Sequence, residues 1–268
     1  MADLGSIRTI LKTYDQEHLL AWFEELDSSQ QSILLAQLDA LDFPQIQSWI
    51  EQYVLQKPTL EIPTNIQPPQ IIPFGGGDNA EAARAQGQEL LRAGKVAAFV
   101  VAGGQGTRLG FEGPKGCYPA TPVTEKPLFR VFAEQINAAQ QTYGVSIPWY
   151  ILTSPINDTA TQAHFRQNNF WGLDPANVKF IPQGTLPAVG YDGKLLLGRK
   201  YRLAVNPNGH GGSLTALAES GALADMAERG IDYISYFQVD NPLVRVLDPV
   251  FLGLVALRDA EAAAKSLS

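Results

Sequence analysis

A glycine-rich segment followed by two cationic side chains is the part of this sequence best suited to phosphate chemistry. An apolar run, 96–102, leads directly into Gly103-Gly104-Gln105-Gly106-Thr107-Arg108-Leu109-Gly110, and Lys115 follows after a Gly-Pro pair. Backbone amides in a loop with few Cβ atoms can approach an anion closely, and a nearby guanidinium and ammonium add positive charge. The segment therefore predicts a nucleotide site that holds a triphosphate.

Two well-known phosphate-binding loops do not fit these residues. A Walker A loop needs Gly-Lys-Ser/Thr after four intervening residues, which the segment lacks, and the dinucleotide fingerprint needs a glycine where Leu109 stands. A Rossmann dehydrogenase would also need an acidic residue after the second strand to bind a ribose, and Thr153-Ser154-Pro155 is found there. A dehydrogenase is therefore disfavoured.

Alternating strand and helix patterns predict the elements that position this loop. Short apolar runs at 96–102, 148–153, 178–183 and 233–239 are predicted strands, and helical spacing covers 81–93, 129–143, 159–167, 214–229 and 248–263. The alternation predicts an α/β fold with a Rossmann-like, mainly parallel sheet covered on both faces. Ligands of such sheets bind beyond the carboxyl ends of the strands, so residues 103–106, 153–154, 183–184 and 240–241 are expected to converge.

The predicted domain organisation has three parts. Apolar residues at three-four spacing indicate a helical N-terminal subdomain over 1–56, and a Pro- and Gly-rich stretch over 57–80 is a predicted linker. Residues 81–268 form the predicted α/β core. Within the core, Asp192-Gly193 is the predicted turn of a hairpin over 188–197, and a second glycine-rich loop, 206–212, leads into the helix at 214.

Overall composition narrows the class of partner and the compartment. A formal net charge of −7 with no basic stripe argues against nucleic-acid binding, and no apolar segment reaches the length of a membrane span. The single cysteine, Cys117, cannot form an internal disulfide, and the N-terminus lacks the pattern of a signal peptide. A cytoplasmic location is therefore expected.

Taken together, these segments resemble the uridylyltransferases that make UDP-sugars. The run Ala-Gly-Gly-Gln-Gly-Thr-Arg-Leu-Gly at 102–110, with Pro-Lys-Gly at 114–116, is similar to that family's signature, and segments 147–154, 183–188, 192–194 and 239–241 occur in the family's order. The helices around His18-Leu19-Leu20 are similar to its N-terminal extension. The resemblance covers nearly the whole chain and is closest to eukaryotic-type UDP-N-acetylglucosamine/hexosamine pyrophosphorylases.

The resemblance implies a reaction in which a sugar 1-phosphate attacks the α-phosphorus of UTP and expels pyrophosphate. N-acetylglucosamine 1-phosphate is the favoured acceptor. Glucose 1-phosphate is the alternative, because His210 stands where acetylhexosamine enzymes usually have Asn and where glucose enzymes have the His of Gly-His-Gly. The family's sequence continues beyond this one with a second metal aspartate and a second catalytic lysine, so the chain is expected to be C-terminally incomplete. A catalytically silent UTP-binding or regulatory module is the alternative function.

The resemblance also implies the catalytic and metal-binding residues. Arg108 is expected to face the departing pyrophosphate, and Lys115 to stabilise charge at the transferring phosphoryl group. Asp240, a hard oxygen donor at a strand end, is the expected ligand of a Mg²⁺ cofactor. The alternatives are a solvated loop lysine at 115 and a turn aspartate at 240.

The remaining expected contacts are with the nucleotide and the sugar phosphate. Gln183 offers both the donor and the acceptor needed to bind the imide edge of uracil, although a glutamine at a strand end can also bond to backbone. His210 and Asn241 are expected on the sugar-phosphate side. The residues expected to contact the nucleotide are Ala102, Gly103, Gly104, Gly106, Thr107, Gln183, Gly184, Gly209 and His210.

Overall fold

A computed structural model describes residues 3–56, 63–68, 71–73 and 75–266. The chain divides into two compact units, one formed by 1–68 together with 185–208 and the other by 69–184 together with 209–268. The grouping of 185–208 with the N-terminal helices was not predicted from the sequence. The predicted linker, 57–80, lies partly outside the described residues, at 57–62, 69–70 and 74, and the three-part division with its boundaries stays a prediction.

Helices and strands alternate through most of the described chain. The helices are, in chain order, α1 (Leu4–Thr13), α2 (Ser28–Asp39), α3 (Phe43–Trp49), α4 (Ala80–Arg92), α5 (Leu128–Tyr143), α6 (Asp158–Gln167), α7 (Gly212–Glu219), α8 (Ala222–Glu228) and α9 (Pro249–Leu257). The strands are β1 (Val96–Val101), β2 (Trp149–Thr153), β3 (Val178–Pro182), β4 (Thr185–Pro187), β5 (Leu197–Arg199), β6 (Arg202–Leu203), β7 (Val205–Pro207) and β8 (Tyr233–Gln238). None of the helices in these ranges has the length and hydropathy needed to cross a membrane.

A four-stranded parallel sheet with the order β3-β2-β1-β8 lies at the centre of the larger unit. Strand β1 pairs in parallel with both β2 and β8, and β2 pairs in parallel with β3. The carboxyl ends of all four strands therefore lie at the same edge, which confirms the predicted α/β class and the predicted parallel sheet.

Both faces of this sheet are covered, which explains why its central strands are apolar at nearly every position. Ala98 and Val100 of β1 face one core together with Phe129 and Phe132 of α5. On the opposite face, alternate residues of β1 and β2 pack against a second set of side chains from α7 and α8, namely Ala216, Leu217, Ala222 and Met226. Helices α4 and α9 approach so closely that a Cβ atom on Gly87 would lie 1.8 Å from the Pro249 carbonyl oxygen.

Two predicted helices differ from those in the structure. The helix predicted over 214–229 is two helices, α7 and α8, because Gly221 adopts a left-handed conformation with φ of 75° between them. The helix predicted to continue to 263 ends at Leu257, where Asp259, with φ of 47°, turns the backbone out of the helix.

The smaller unit combines the N-terminal helices with short antiparallel strand pairs. Ile7, Leu11, Leu34 and Leu38 form its core, and β4 pairs with β7 and β5 with β6. The hairpin predicted over 188–197 is confirmed, since residues 189 and 195 pair in antiparallel fashion and the Gly190 N–H donates to the Lys194 carbonyl at 2.8 Å. All of the residues predicted to do chemistry lie outside this unit.

Asp225 ties α8 to two strands of the central sheet. Its carboxylate accepts a hydrogen bond from the Tyr150 hydroxyl at 2.5 Å and lies 2.6 Å from Lys179 Nζ and 3.1 Å from Arg229 Nε. Partial burial raises the pKa of Asp225, but the hydrogen bonds from Lys179, Tyr150 and Arg229 outweigh this effect and lower it to about 2. The ionised form therefore stabilises the packing of α8.

Because folding lowers the pKa of Asp225 from 3.8 to about 2, its contribution to stability is present above 3.8 and is lost as the pH falls toward 2. We expect Asp225→Asn to lower the free energy of unfolding by about 1–2 kcal/mol at neutral pH, after allowance for screening by solvent. Urea denaturation at a series of pH values should show the difference between the two proteins shrinking below about pH 4.

The matched control is Asp232→Asn, which breaks an exposed ion pair with Lys95. That substitution should change the free energy of unfolding by less than about 0.5 kcal/mol. A destabilisation by Asp225→Asn that does not vary with pH would contradict the assignment of the effect to the ionised carboxylate.

Candidate functional site

The loop after β1 folds back on itself at the carboxyl edge of the sheet. The Gly106 N–H donates to the Gly113 carbonyl at 2.9 Å, and the Lys115 N–H donates to the Gly104 carbonyl at 3.0 Å. A Cβ atom on Gly106 would lie 2.7 Å from a ring carbon of Phe111, so this turn requires a glycine. The fold of the loop places Lys115 beside Gly104, eleven positions earlier in the chain.

Lys115 also connects this loop to the end of β8. Its Nζ lies 2.9 Å from Oδ2 of Asp240, the second residue after the strand. The lysine side chain is 18% exposed and the aspartate side chain 55% exposed, so the pair lies at the rim of the site with its carboxylate toward solvent. The structure therefore brings together the predicted phosphate-binding lysine and the predicted metal ligand.

Asn157 joins the first loop to the turn after β2. The residue is fully buried; its Nδ2 donates to the Ala102 carbonyl at 3.0 Å and to the Gly104 carbonyl at 3.2 Å, and its Oδ1 accepts from the Ser154 N–H at 2.8 Å. A buried amide that satisfies three backbone groups is costly to replace, because each group loses its partner. Asn157 therefore fixes the start of the glycine loop.

Gln183 brings the end of β3 to both glycine loops. Its N–H donates to the Thr153 carbonyl at 2.8 Å, and its Nε2 donates to the Gly209 carbonyl at 2.7 Å. A Cβ atom on Gly103 would lie 3.2 Å from Gln183 Oε1, so the first loop passes directly against this amide. The backbone-bonded arrangement was one of the two interpretations of Gln183, and recognition of uracil stays a prediction.

The second glycine loop is fixed at His210. The Ser213 N–H and hydroxyl donate to the His210 carbonyl at 3.1 and 2.6 Å, and His210 Nδ1 lies 2.7 Å from the Tyr236 hydroxyl. Gly209 and His210 therefore lie in the same unit as the first loop and are connected to it through Gln183.

Two predicted site residues are not connected to this cluster. Arg108 is exposed in the short turn Thr107–Leu109 and forms no hydrogen bond or ion pair with the residues that the structure describes. The Asn241 side chain caps its own turn, where Oδ1 accepts from the Leu243 N–H at 3.2 Å. Within the described ranges, no group of three or more His, Cys, Asp or Glu side chains forms a ready metal cage.

Sequence reasoning missed two residues of this site. Asn157 directly precedes α6, so its position signals a helix cap, but its bonds reach carbonyls more than fifty residues away and leave no local pattern. Tyr236 lies within a predicted strand, where an aromatic residue is expected for packing alone. In both cases the contact depends on which strands are neighbours.

Comparison with known proteins identifies the family. A family model described as UTP–glucose-1-phosphate uridylyltransferase matches residues 47–266. The chain belongs to this family. This confirms the resemblance found in the sequence, since the first loop, Lys115, Gln183 and Asp240 all lie within the matched range.

Individual relatives carry related names. UDP-N-acetylglucosamine diphosphorylase 2 of Arabidopsis thaliana is 37% identical over 271 residues, which cover 95% of this chain and 54% of that protein. UDP-N-acetylhexosamine pyrophosphorylase-like protein 1 of Homo sapiens is 36% identical over 281 residues, covering 99% of this chain and 55% of that protein. The chain thus spans about half the length of the curated relatives it matches.

A solved structure supports the same fold. The uridine diphosphate N-acetylglucosamine pyrophosphorylase of Trypanosoma brucei, determined in complex with an inhibitor, superposes with a TM-score of 0.77 at 27% identity. The match covers 97% of this chain and 56% of that one.

We expect Asn157→Asp to loosen the first glycine loop. The substitution keeps an acceptor for the Ser154 N–H but removes the donor to two carbonyls and sets a carboxylate against them, at a cost of about 1–3 kcal/mol. Hydrogen exchange measured by mass spectrometry should show faster exchange in peptides that span 102–106.

Asn137→Asp provides the control, because Asn137 also donates to a carbonyl, that of Trp171, but away from the site. It should leave exchange in 102–106 unchanged. Equal exchange of this loop in Asn157→Asp and in the unsubstituted protein would show that Asn157 does not fix the loop.

Proposed function

We propose that the protein containing this chain is a uridylyltransferase that transfers UMP from UTP to a sugar 1-phosphate, giving a UDP-sugar and pyrophosphate. One observation carries the proposal: the first glycine loop, Lys115, Gln183 and Asp240 lie together at the carboxyl edge of the sheet, within one unit. The chain that contains them belongs to the uridylyltransferase family. N-acetylglucosamine 1-phosphate is the proposed acceptor, because the relatives are named for UDP-N-acetylglucosamine or UDP-N-acetylhexosamine.

Both proposed substrates are anions, so the site has to bring negative charges together. An oxygen of the sugar phosphate forms a bond to the α-phosphorus of UTP while the bond from that phosphorus to the bridging oxygen of pyrophosphate breaks. The acceptor itself is the nucleophile, and the chain's residues bind and align the phosphates. Amides of the loop at 103–105, Lys115 and the exposed Arg108 are proposed to supply donors and positive charge for this purpose.

Asp240 is the proposed Mg²⁺ ligand, and the donor set fits that ion. Magnesium in nucleotide sites is commonly held by one or two carboxylates and completes its coordination with water and substrate phosphates. The half-exposed Asp240 carboxylate at the end of β8 meets this requirement without a closed cage of protein ligands. When bound, the ion would neutralise phosphate charge.

A reducing, cytoplasmic setting is proposed on the ground of cysteine usage. Burial raises the pKa of the Cys117 thiol to about 12, so this sole cysteine is poorly suited to disulfide chemistry. UTP and a sugar 1-phosphate are the proposed small-molecule partners.

Nucleotide binding tests the uridine assignment. By isothermal calorimetry, UTP should bind more tightly than ATP, and Gln183→Ala should reduce that difference because the base-reading amide is removed. Lys115→Met should weaken both nucleotides equally, roughly ten- to hundredfold, because a charged donor to phosphate is lost.

Lys95→Met serves as the control for the loss of one lysine, since Lys95 pairs with Asp232 at a distance from the carboxyl edge of the sheet. It should change nucleotide affinity by less than about twofold, as expected for a screened charge. Equal affinity of the unsubstituted protein for UTP and ATP would overturn the uridine assignment.

Turnover tests the reaction and the role of the metal. Pyrophosphate release should require UTP, Mg²⁺ and a sugar 1-phosphate, with the highest rate for N-acetylglucosamine 1-phosphate, when measured on the longest form in which the protein occurs. Asp240→Asn should raise the Mg²⁺ concentration needed for half-maximal UTP binding, because a neutral amide is a weaker ligand than a carboxylate. Binding of UTP without any pyrophosphate release would instead support a catalytically silent module.

A further inference from the structure

A histidine–tyrosine hydrogen bond links the second glycine loop to β8. We propose that Tyr236 is a positioning residue that fixes the ring of His210 so that Nε2–H is available as a hydrogen-bond donor to an oxygen of a phosphate-bearing ligand. The inference rests on the proposed function for the identity of that ligand, which is either the nucleotide or the sugar 1-phosphate. It assigns a role to Tyr236, which the sequence pattern indicates only as a strand residue.

The backbone of His210 is fixed independently of its ring. Gly209 accepts a hydrogen bond from Gln183 Nε2 at 2.7 Å, and the His210 carbonyl accepts from both the N–H and the hydroxyl of Ser213, which is 3% exposed. Rotation about the side-chain bonds is the freedom that remains for the imidazole. The bond of 2.7 Å between Nδ1 and the Tyr236 hydroxyl removes that freedom.

Tyr236 is 45% exposed, and one neighbouring ring of the sheet supports it. It lies in β8 opposite Phe99 of β1, and the two rings pack edge to face with centroids 5.7 Å apart. Partial burial raises the pKa of Tyr236, so its phenol stays protonated at neutral pH. A ring supported by a neighbour and a hydroxyl that keeps its proton suit a positioning group.

The hydroxyl determines which nitrogen of His210 carries hydrogen. A phenol is a far stronger acid than a neutral imidazole N–H, so the Tyr236 O–H donates and Nδ1 accepts. The neutral imidazole then carries its hydrogen on Nε2, because the two ring nitrogens have opposite roles. Since the side chain of His210 is exposed, Nε2–H is accessible to a ligand oxygen.

The position along β8 connects this pair with the proposed phosphate site. Tyr236 lies four residues before Asp240, which pairs with Lys115, and Gly209 is bonded to the same Gln183 amide that contacts Gly103. The His210 loop is thereby attached to the end of β3 through Gln183 and to β8 through Tyr236, two of the three strands whose ends carry the proposed site.

The tautomer of His210 can be measured without any ligand. The chain has three histidines, so ¹⁵N-histidine labelling with His210→Asn as the assignment control identifies the signals of this ring. At mildly alkaline pH we expect His210 to be the Nε2–H tautomer in the unsubstituted protein and a mixture of tautomers in Tyr236→Phe. Tyr233→Phe, which removes a hydroxyl from the same strand, should leave the signals unchanged. A tautomer that is insensitive to Tyr236→Phe would overturn the proposal.

Calorimetry then identifies the ligand. Tyr236→Phe should weaken binding of either UTP or the sugar 1-phosphate roughly three- to tenfold, and the affected ligand is the one that His210 contacts. The same substitution made in the His210→Asn background should have no further effect on that ligand. An equal loss in both backgrounds would indicate a merely structural role and overturn the proposal.

The two readouts separate this inference from the proposed function. If the unsubstituted protein binds neither UTP nor any sugar 1-phosphate, the proposed function and the ligand assigned to His210 are overturned. The tautomer measurement needs no ligand and would still decide whether Tyr236 positions the ring. Normal binding with no effect of Tyr236→Phe on either ligand would overturn the inference and leave the proposed function intact.

Discussion

Parallel hydrogen bonding between four strands is the constraint on which the candidate site depends. Because β3, β2, β1 and β8 run in one direction, their carboxyl ends must lie at one edge, although the end of β8 follows the ends of the other three by 56 to 137 positions along the chain. Each strand end leaves backbone groups without a ladder partner. The residues that follow the strands therefore have to satisfy those groups, and they are the same residues that face any ligand at this edge.

Side-chain amides do much of this work. Asn157 bonds to carbonyls at the end of β1, and Gln183 bonds to the carbonyl of Gly209 in the second loop. An amide suits this position because it offers donor and acceptor without a charge that would have to be desolvated. The two loops are consequently anchored by neutral side chains that bond to their carbonyls.

The sequence predicts the framework of this site better than its internal bonds. The four central strands and their direction follow from apolar runs that alternate with helical patterns, a signal that depends on burial of both sheet faces. The break at Gly221 and the early end of α9 depend on single backbone conformations, which a helical pattern does not reveal. The attachment of 185–208 to the N-terminal helices depends on long-range contacts: Gln16, for example, bonds to the carbonyl of Gly193 at 3.0 Å.

The same distinction applies to the candidate site residues. Lys115 and Asp240 are predicted separately, one from a loop motif and one from a strand end, but their pairing follows only from the position of β8 next to β1. Arg108 is predicted from the same motif as Lys115 and yet has no partner among the described residues, and the turn that carries it is exposed. Motifs thus predict residue types at strand ends, while strand order determines which of them meet.

The Lys115–Asp240 pair also bears on how a chain of net charge −7 would bind the proposed polyanionic substrates. An ion pair whose carboxylate is 55% exposed contributes only about 0–1 kcal/mol, because water competes for both charges. Separating the pair is therefore inexpensive compared with a charged hydrogen bond to phosphate, which contributes about 1.5–3 kcal/mol. Asp240 keeps the ammonium beside Gly104 in the absence of ligand and does not hold it there against a competing phosphate. Asp240 thereby holds the Lys115 ammonium at the carboxyl edge of the sheet, where the loop amides are proposed to bind phosphate.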